Sequence, residues 1–526
     1  MLIHNPVLTG FNPDPVIFRD DDGYHIIVST FEWMPGLRVY SSTNLAEWTY
    51  ETSMLSDASM ADLRVNPAAC SIWGPFATWH DGTYYVVYTN VRSTKVPYKD
   101  CDNYIVSAKS LHGPWSEPVY VNSSGFDPSL FFDADGRAYF LNAIWDYRLG
   151  THNKSAGVVM QELDSVSLSP IGEPHVIFRG TKARKTEAPQ LYRRGDYYYL
   201  LTAEGGTESG HQETVARSRD IWGPYEVDPE TPLLTAADDP SLPLQCAGHA
   251  SLVETPAGEW YMAYLCSRPF ENNGGFSILG RETAIERVVW SDDGWLRLAS
   301  GGHHPNLTSP APTGTMALSS DADASLAGGG FDDDFRTPNL DVSRWNTLRQ
   351  LSSETWLKSG NGLTILGGQS PQSFFDQHIV ATRQTALRCS ASVEMEYAPD
   401  ASEVGYLRLA GMTLYLNDGN YVLCMITMGE NGPIAVLQRS VKGDFQLIDS
   451  IPVSADGHYA LSVRLDGCQA MFSVNDGHAE QRFAPLDVTF LSGGYTGNFI
   501  GLDVIDMHRR NGTFAVFRNF RYRVAS

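Results

Sequence analysis

Cysteine, basic charge and long apolar runs are what this 526-residue chain has little of. Its seven cysteines, at positions 70, 101, 246, 266, 389, 424 and 468, are odd in number, scattered and never spaced as CxxC. That pattern excludes a disulfide framework and a cysteine zinc site, and several of these thiols fall within apolar strands. Lys and Arg number 38 against 61 Asp and Glu, a net charge of −23. Such an acidic excess argues against nucleic acid and anionic membrane as partners and favours a neutral ligand. No apolar run approaches the roughly 18 residues of a membrane span. The opening Met1-Leu-Ile-His-Asn-Pro-Val-Leu-Thr-Gly has neither the basic nor the apolar region of a secretory signal. The expectation is an intracellular protein, or a secreted one if this N-terminus is a mature one. Homo-oligomerisation is compatible with the sequence.

What the chain does have is aromatic side chains, 11% of residues with 25 Tyr and 12 Trp, and a repeated phrase. In Phe11-Asn-Pro-Asp-Pro-Val-Ile-Phe an acid, Asp14, sits in a Pro-flanked turn before a short apolar run. A turn at Gly23 and a second apolar run follow, which reads as a strand hairpin. The phrase returns from Trp73 to Gly82, Asp127 to Gly136, Glu187 to Gly195 and His249 to Gly258. Successive lead residues are 59, 54, 60 and 62 apart, and each precedes its turn glycine by 9, 9, 9, 8 and 9 residues. A hairpin repeated at this period is the signature of a β-propeller, and five copies mean five blades. Equivalent positions in a radial repeat surround one axis. Asp14, Trp73, Asp127, Glu187 and His249 are therefore expected to meet in a central pit. For any one copy, an acid that merely caps a turn is the simpler account; it weakens when all five coincide.

The propeller is expected over residues 1–308. Residues 309–330 are rich in Pro, Gly, Ser and Ala and read as a linker. From 331 to 526, alternating runs such as Ala391-Ser-Val-Glu-Met-Glu-Tyr and Tyr459-Ala-Leu-Ser-Val-Arg-Leu are separated by turns such as Asn417-Asp-Gly and Asn475-Asp-Gly. These predict an antiparallel β-sandwich, making the whole chain all-β. The sandwich reads equally as a sugar-binding module, a brace or a wall of the site.

Two carboxyls across a pit suit hydrolysis of a glycosidic bond. One must be protonated to give a proton to the leaving oxygen, the other ionised to activate water or attack. A third acid can raise the donor's pKa by repulsion. Asp14, Asp127 and Glu187 make a sufficient set. Trp73 can stack on a sugar, and His249 can hold an acid in place. The lead residues are not a His-rich ligand set, so neither a catalytic metal nor a cofactor is expected.

These residues carry a resemblance. Asn12-Pro-Asp-Pro, Ser29-Thr-Phe-Glu-Trp-Met-Pro-Gly, Ile72-Trp-Gly-Pro, Phe126-Asp-Pro-Ser-Leu, Asn142-Ala-Ile-Trp-Asp, Thr186-Glu-Ala-Pro, Leu201-Thr-Ala-Glu-Gly-Gly-Thr, Ala247-Gly-His-Ala-Ser and Leu279-Gly-Arg-Glu-Thr stand in order. With Tyr495-Thr-Gly-Asn-Phe-Ile-Gly in the second half, the whole chain resembles glycoside hydrolase family 43, specifically its two-domain β-xylosidases. The resemblance implies inversion, with Asp14 as general base, Glu187 as general acid and Asp127 tuning the acid. It implies that Arg281 reaches the pit, that Phe31, Trp73 and Trp145 wall a sugar site near Thr207, and that Phe499 comes from the sandwich. Without it, Arg281 reads equally as an ion pair with Glu282, and Phe31, Trp145 and Phe499 as core. It also implies that His249 orders a water or a calcium ion, as in some relatives. The substrate implied is a xylo-oligosaccharide, cleaved from its non-reducing end, with α-L-arabinofuranosides as a second class. The alternatives are mainly arabinofuranosidase action, a retaining invertase-like enzyme whose Asn-Asp-Pro-Asn motif is absent, and a silent sugar-binding propeller. Val16, Gly74 and Gln190 depart from the family's common Ser, Ala and His.

Overall fold

Each repeat folds as an antiparallel blade because its apolar runs alternate with turn residues; the blades have four strands each, except the fourth, where Leu234–Thr235 adds a fifth against Gln212–Ser218. The computed structural model describes all residues except 58, 271–276, 316–328, 354, 494 and 526. Innermost strands are Val16–Arg19, Ser71–His80, Gly125–Phe132, Glu187–Arg194 and Gln245–Glu254. Each packs against the next around the axis, and the fifth packs against the first. The turn glycines of blades 2 to 5 (Gly82, Gly136, Gly195 and Gly258) are left-handed, at φ of 65°, 85°, 58° and 77°; this is where a side chain would be strained. In blade 1, Asp20 Oδ1 instead accepts the N–H groups of Asp22 (2.8 Å) and Gly23 (3.0 Å).

The ring is closed by a clasp. Leu2–His4 pairs antiparallel with Thr308–Pro310, so this last strand runs into the stretch read as linker. Asn5 Nδ2 donates to Ile285 O (2.9 Å), and Leu8 bridges Thr283. Residues 316–328, most of the remaining linker, lie outside the described residues.

The second unit is a sandwich of a nine-stranded and an eight-stranded sheet. The eight-stranded sheet ends on a strand from elsewhere: Trp33–Met34 of the propeller pairs with Asn346–Leu348, Leu348 opposite Trp33 and Thr347 opposite Met34. The Trp33 ring stacks on Phe499 with centroids 3.9 Å apart and stands edge-on to Tyr415. Phe11, Phe31, Trp73 and Phe126 of the propeller join Leu348, Ile379, Tyr415 and Phe499 of the sandwich in one apolar cluster. Buried Arg383 extends the join, donating from Nε to Phe11 O at 2.7 Å. Burial in this seam, beside Arg38, lowers its pKa to about 9. Among the described residues no helix is long and apolar enough to cross a membrane.

Candidate active site

The blades aim their lead residues inward by breaking their own ladders. Pairing with the second strand shifts register between Trp73 and Phe76, Phe126 and Ser129, Glu187 and Gln190, and Gly248 and Ser251. At the break the backbone turns left-handed: Asp14 at φ 54°, Asp127 at 51°, His249 at 54°, and Gly74 and Ala188 one residue after their leads. A non-glycine residue held there costs on the order of 1–3 kcal/mol and persists only where its surroundings enforce it. Serines two residues past the lead supply some of that enforcement. Ser129 Oγ donates to Pro189 O (2.6 Å) across blades 3 and 4, and Ser251 Oγ to Pro15 O (3.0 Å) across blades 5 and 1. Val16, standing where that serine falls in blade 1, packs among Ile72 and Ala77 instead.

The result is a pit of about 610 Å³, counting its open mouth, lined by Asp14, Asp127, Glu187, Trp73, Phe31, Thr207, His249 and Arg281. All five lead residues thus meet there. Arg281 forks onto Asp14: Nη1 bonds Oδ1 and Nη2 lies 3.4 Å from Oδ2. The ion pair with Glu282 weighed from sequence is not formed; Glu282 is held by Arg268 at 2.7 Å. Ser29 Oγ donates to Asp14 Oδ2 at 2.6 Å. Burial opposes charge on Asp14, but Arg281, His249 and the Ser29 bond together hold its pKa below the usual 3.8. Glu187, partly open to the pit, is pushed by burial, with Asp14's charge adding and Lys99 opposing, to about 7. Burial, then the charges of Glu187 and Asp14, raise Asp127 well above the carboxylate range. Asp127 and Glu187 therefore hold a proton between them near neutrality. Burial lowers His249 to about 4, so a neutral imidazole faces Asp14 Oδ1 at 3.7 Å.

Two expected wall residues lie elsewhere. Phe499 is fully buried under Trp33, in the apolar seam, and does not line the pit. It opens the strand Phe499–Asp506, whose side chains are all buried. The aromatic that the sandwich does contribute is Tyr495, four residues earlier in the preceding loop, 5.7 Å from the Trp73 ring. Two glycines bring that loop in. A Cβ on Gly280 would lie 2.7 Å from Gly497 Cα, and one on Gly497 would lie 2.4 Å from Leu279 O. This close approach lets Arg281 Nε donate to Tyr495 O at 3.0 Å. Trp145 is one layer back, behind Lys99.

Lys99 escaped sequence reasoning because it belongs to no repeat position and lies between strands. Its ammonium sits over Trp73, Phe126 and Trp145, 4.7, 4.2 and 4.1 Å from the ring centroids. Burial lowers its pKa, with Cys101, Glu187 and Asp127 opposing. Lys185 and Glu208 also reach the pit. Four carboxyls holding one proton then balance Lys99, Lys185 and Arg281, so the pit is close to neutral within an acidic protein. The departure at Gly74 also finds a reason: a Cβ there would lie 2.1 Å from Asp127 Oδ1. A calcium ion requires six to eight oxygen ligands. The surroundings of His249 offer the Asp14 carboxylate, already forked by Arg281, the Glu213 carboxylate, whose Oε2 accepts the Ala250 N–H at 2.9 Å, and the ring of His211, which together fall short of six oxygens. That set does not fit calcium.

An acid-lined, near-neutral pit on the axis of a five-bladed propeller defines a glycoside hydrolase. Residues 3–296 match the model of Glycosyl hydrolases family 43, and residues 332–523 that of the Beta xylosidase C-terminal Concanavalin A-like domain. The chain belongs to glycosyl hydrolase family 43. It is 37% identical to the beta-xylosidase of Bacillus subtilis (strain 168), over 99% of this chain and 100% of that one. It is 36% identical to xylosidase/arabinosidase 43B of Humicola insolens, over 99% and 97%. Among solved structures, that of xylan beta-1,4-xylosidase from Bacillus halodurans C-125 superposes with a TM-score of 0.93 at 38% identity, covering 99% of this chain and 100% of that one.

Proposed function

We propose that the chain is an exo-acting, inverting β-1,4-xylosidase that releases xylose from the non-reducing end of xylo-oligosaccharides. The observation that carries this is the separation of the two carboxyls: Asp14 is held ionised by the Arg281 fork while Glu187 is raised to about 7. Environments that push two acids apart in this way mark out a base and an acid. Asp14 takes a proton from water as it attacks the anomeric carbon. Glu187 gives its proton to the leaving oxygen, and Asp127, sharing the same buried field, keeps that proton on the pair. Phe31 and Trp73 offer faces for the sugar ring, and Thr207, Arg281 and Lys99 offer donors to its hydroxyls. Tyr495 narrows the pit beside Trp73, so that one chain end enters, which accounts for exo action.

The near-neutral pit favours an uncharged sugar. Arabinofuranosidase action is the second reading, because one full-length relative is named for both sugars. A binding-only propeller is disfavoured by a raised carboxyl that simple sugar binding does not need. Proton NMR of the first product formed from a β-xyloside tests the proposal. α-Xylose before mutarotation supports inversion; β-xylose first rejects it. Parallel rates on aryl β-D-xyloside, aryl α-L-arabinofuranoside and xylobiose rank the substrates, and inactivity on all three refutes the reading.

A further inference from the structure

Away from the pit, where the ring closes, two imidazoles converge on one carboxylate. His303 Nε2 lies 2.9 Å from Asp238 Oδ2, and His304 Nε2 lies 2.9 Å from Asp238 Oδ1. Among the described residues this is the one group of three such side chains whose ligand atoms all lie within 4.8 Å of one another. We propose that Asp238, His303 and His304 bind one transition-metal ion of the zinc class.

Bonds of about 2.0–2.1 Å at tetrahedral angles place ligand atoms about 3.3 Å apart. The two 2.9 Å separations would open by a few tenths of an ångström, while the two imidazole nitrogens, within 4.8 Å of each other, would draw onto one ion. Two imidazole nitrogens and one carboxylate oxygen suit Zn²⁺, Co²⁺, Ni²⁺ or Cu²⁺ and not Mg²⁺ or Ca²⁺, which prefer all-oxygen sets. Water completes the shell, since the carboxylate and both rings keep roughly a third to a half of their surface open. The two segments are already positioned. Thr235 N donates to His303 O (2.9 Å), Asn306 Nδ2 to His304 O (3.2 Å), and Asp239 N to Ala236 O (3.2 Å). Little ordering remains to oppose binding. Two mutually perpendicular rings, at 83°, present their Nε2 atoms from adjacent residues, which a single ion pair would not require.

Asp238 lies between blade 4 and the inner strand of blade 5. His303 and His304 lie between the last strand of blade 5, Leu296–Leu298, and the clasp strand Thr308–Pro310. A bound ion would therefore tie the entrance of the last blade to its exit, next to the clasp. A ligand held by the folded chain alone stabilises it by mass action.

The test uses the full chain stripped with a chelator. Titration with Zn²⁺ followed by calorimetry should give one equivalent per chain. Co²⁺ should give the visible bands of a four-coordinate ion, and Zn²⁺ should raise Tm by a few degrees. His303→Gln, His304→Gln and Asp238→Asn should each weaken binding at least tenfold and remove the Tm shift. Unchanged hydrolysis of an aryl β-xyloside checks that each variant is folded; should Asp238→Asn misfold, His304→Gln alone decides. Excess Ca²⁺ should not compete. No uptake of Zn²⁺ by the parent chain at tenfold excess overturns the proposal, as does uptake that survives undiminished in the His303→Gln/His304→Gln double variant.

Discussion

Replacing Arg281 by Met should move the acid limb of the pH–rate profile toward neutrality. In the parent chain Asp14 is 4% exposed and keeps its charge because Arg281 forks onto both oxygens. Methionine fills the space without the charge. Asp14 then retains the Ser29 hydroxyl and a neutral His249, while the burial that opposes ionisation remains. Removing one partner of a buried pair costs about 3–5 kcal/mol. At 1.36 kcal/mol per pKa unit, that corresponds to about two to four units, the upper end if the site does not relax. Asp14 would rise from below 3.8 into the range where Glu187, at about 7, loses its proton. The form with the base ionised and the acid protonated becomes scarce, and the bell narrows from its acid side. The assay is kcat/KM on an aryl β-xyloside from pH 4 to 9, which reports the free enzyme. Loss of sugar contacts lowers the whole curve; only the limb's position tests the reasoning. Arg281→Lys should return the limb most of the way, because a point charge suffices to hold Asp14, while restoring less of kcat, because the fork is gone. An acid limb that stays below pH 4 in Arg281→Met refutes the account of Asp14.

Four further outcomes are expected. In the parent chain kcat/KM should fall on the alkaline side as pH rises through about 7, because Glu187 must be protonated to act; Asp127→Asn removes the carboxyl that shares a proton with Glu187 and should move that limb to lower pH. Glu187→Gln should slow xylobiose far more than an aryl xyloside whose leaving group needs little protonation, by about 10²–10⁴ in rate, and equal losses would remove Glu187 as proton donor. Tyr495→Ala should raise KM with Tm unchanged, whereas Phe499→Ala, under the Trp33 ring, should cost about 3–5 kcal/mol of stability; the reverse pattern in urea melts and kinetics would return Phe499 to the pit wall. A chain ending at residue 308 should be insoluble or inactive, because it loses most of the clasp strand and bares the apolar seam.

The propeller and its three acids were legible because the repeat is local. Each copy spells a lead residue, an apolar run and a turn glycine within nine residues, and rotation about one axis does the rest. Phe499 was misplaced for the opposite reason. Tyr495 and Phe499 sit in one motif, and only the point where the strand begins decides which of them enters the core. Lys99 left no trace because its partners, Trp73, Phe126 and Trp145, come from two blades and no spacing links them. Gly74 was visible as a departure, but the carboxylate that fills its missing Cβ lies in the next blade. The pairing of Trp33–Met34 with Asn346–Leu348 was invisible, since a two-residue strand has no period and its partner is more than 300 positions away.

That borrowed strand sets an order of events during synthesis. Asn346 Nδ2 donates to Met34 O across 312 positions of chain. At translation rates of about 5–20 residues per second, blade 1 waits roughly 15–60 s for its partner to be made. Throughout that interval the Trp33 ring lacks Phe499 and Tyr415, and the edge of Trp33–Met34 lacks its pairing strand, while the rest of the propeller emerges complete. The nascent chain is thus most vulnerable to aggregation after its catalytic half has been made and before its non-catalytic half has arrived. Placing the aromatic anchor in the first blade makes the last 180 residues a condition of survival for the first 310.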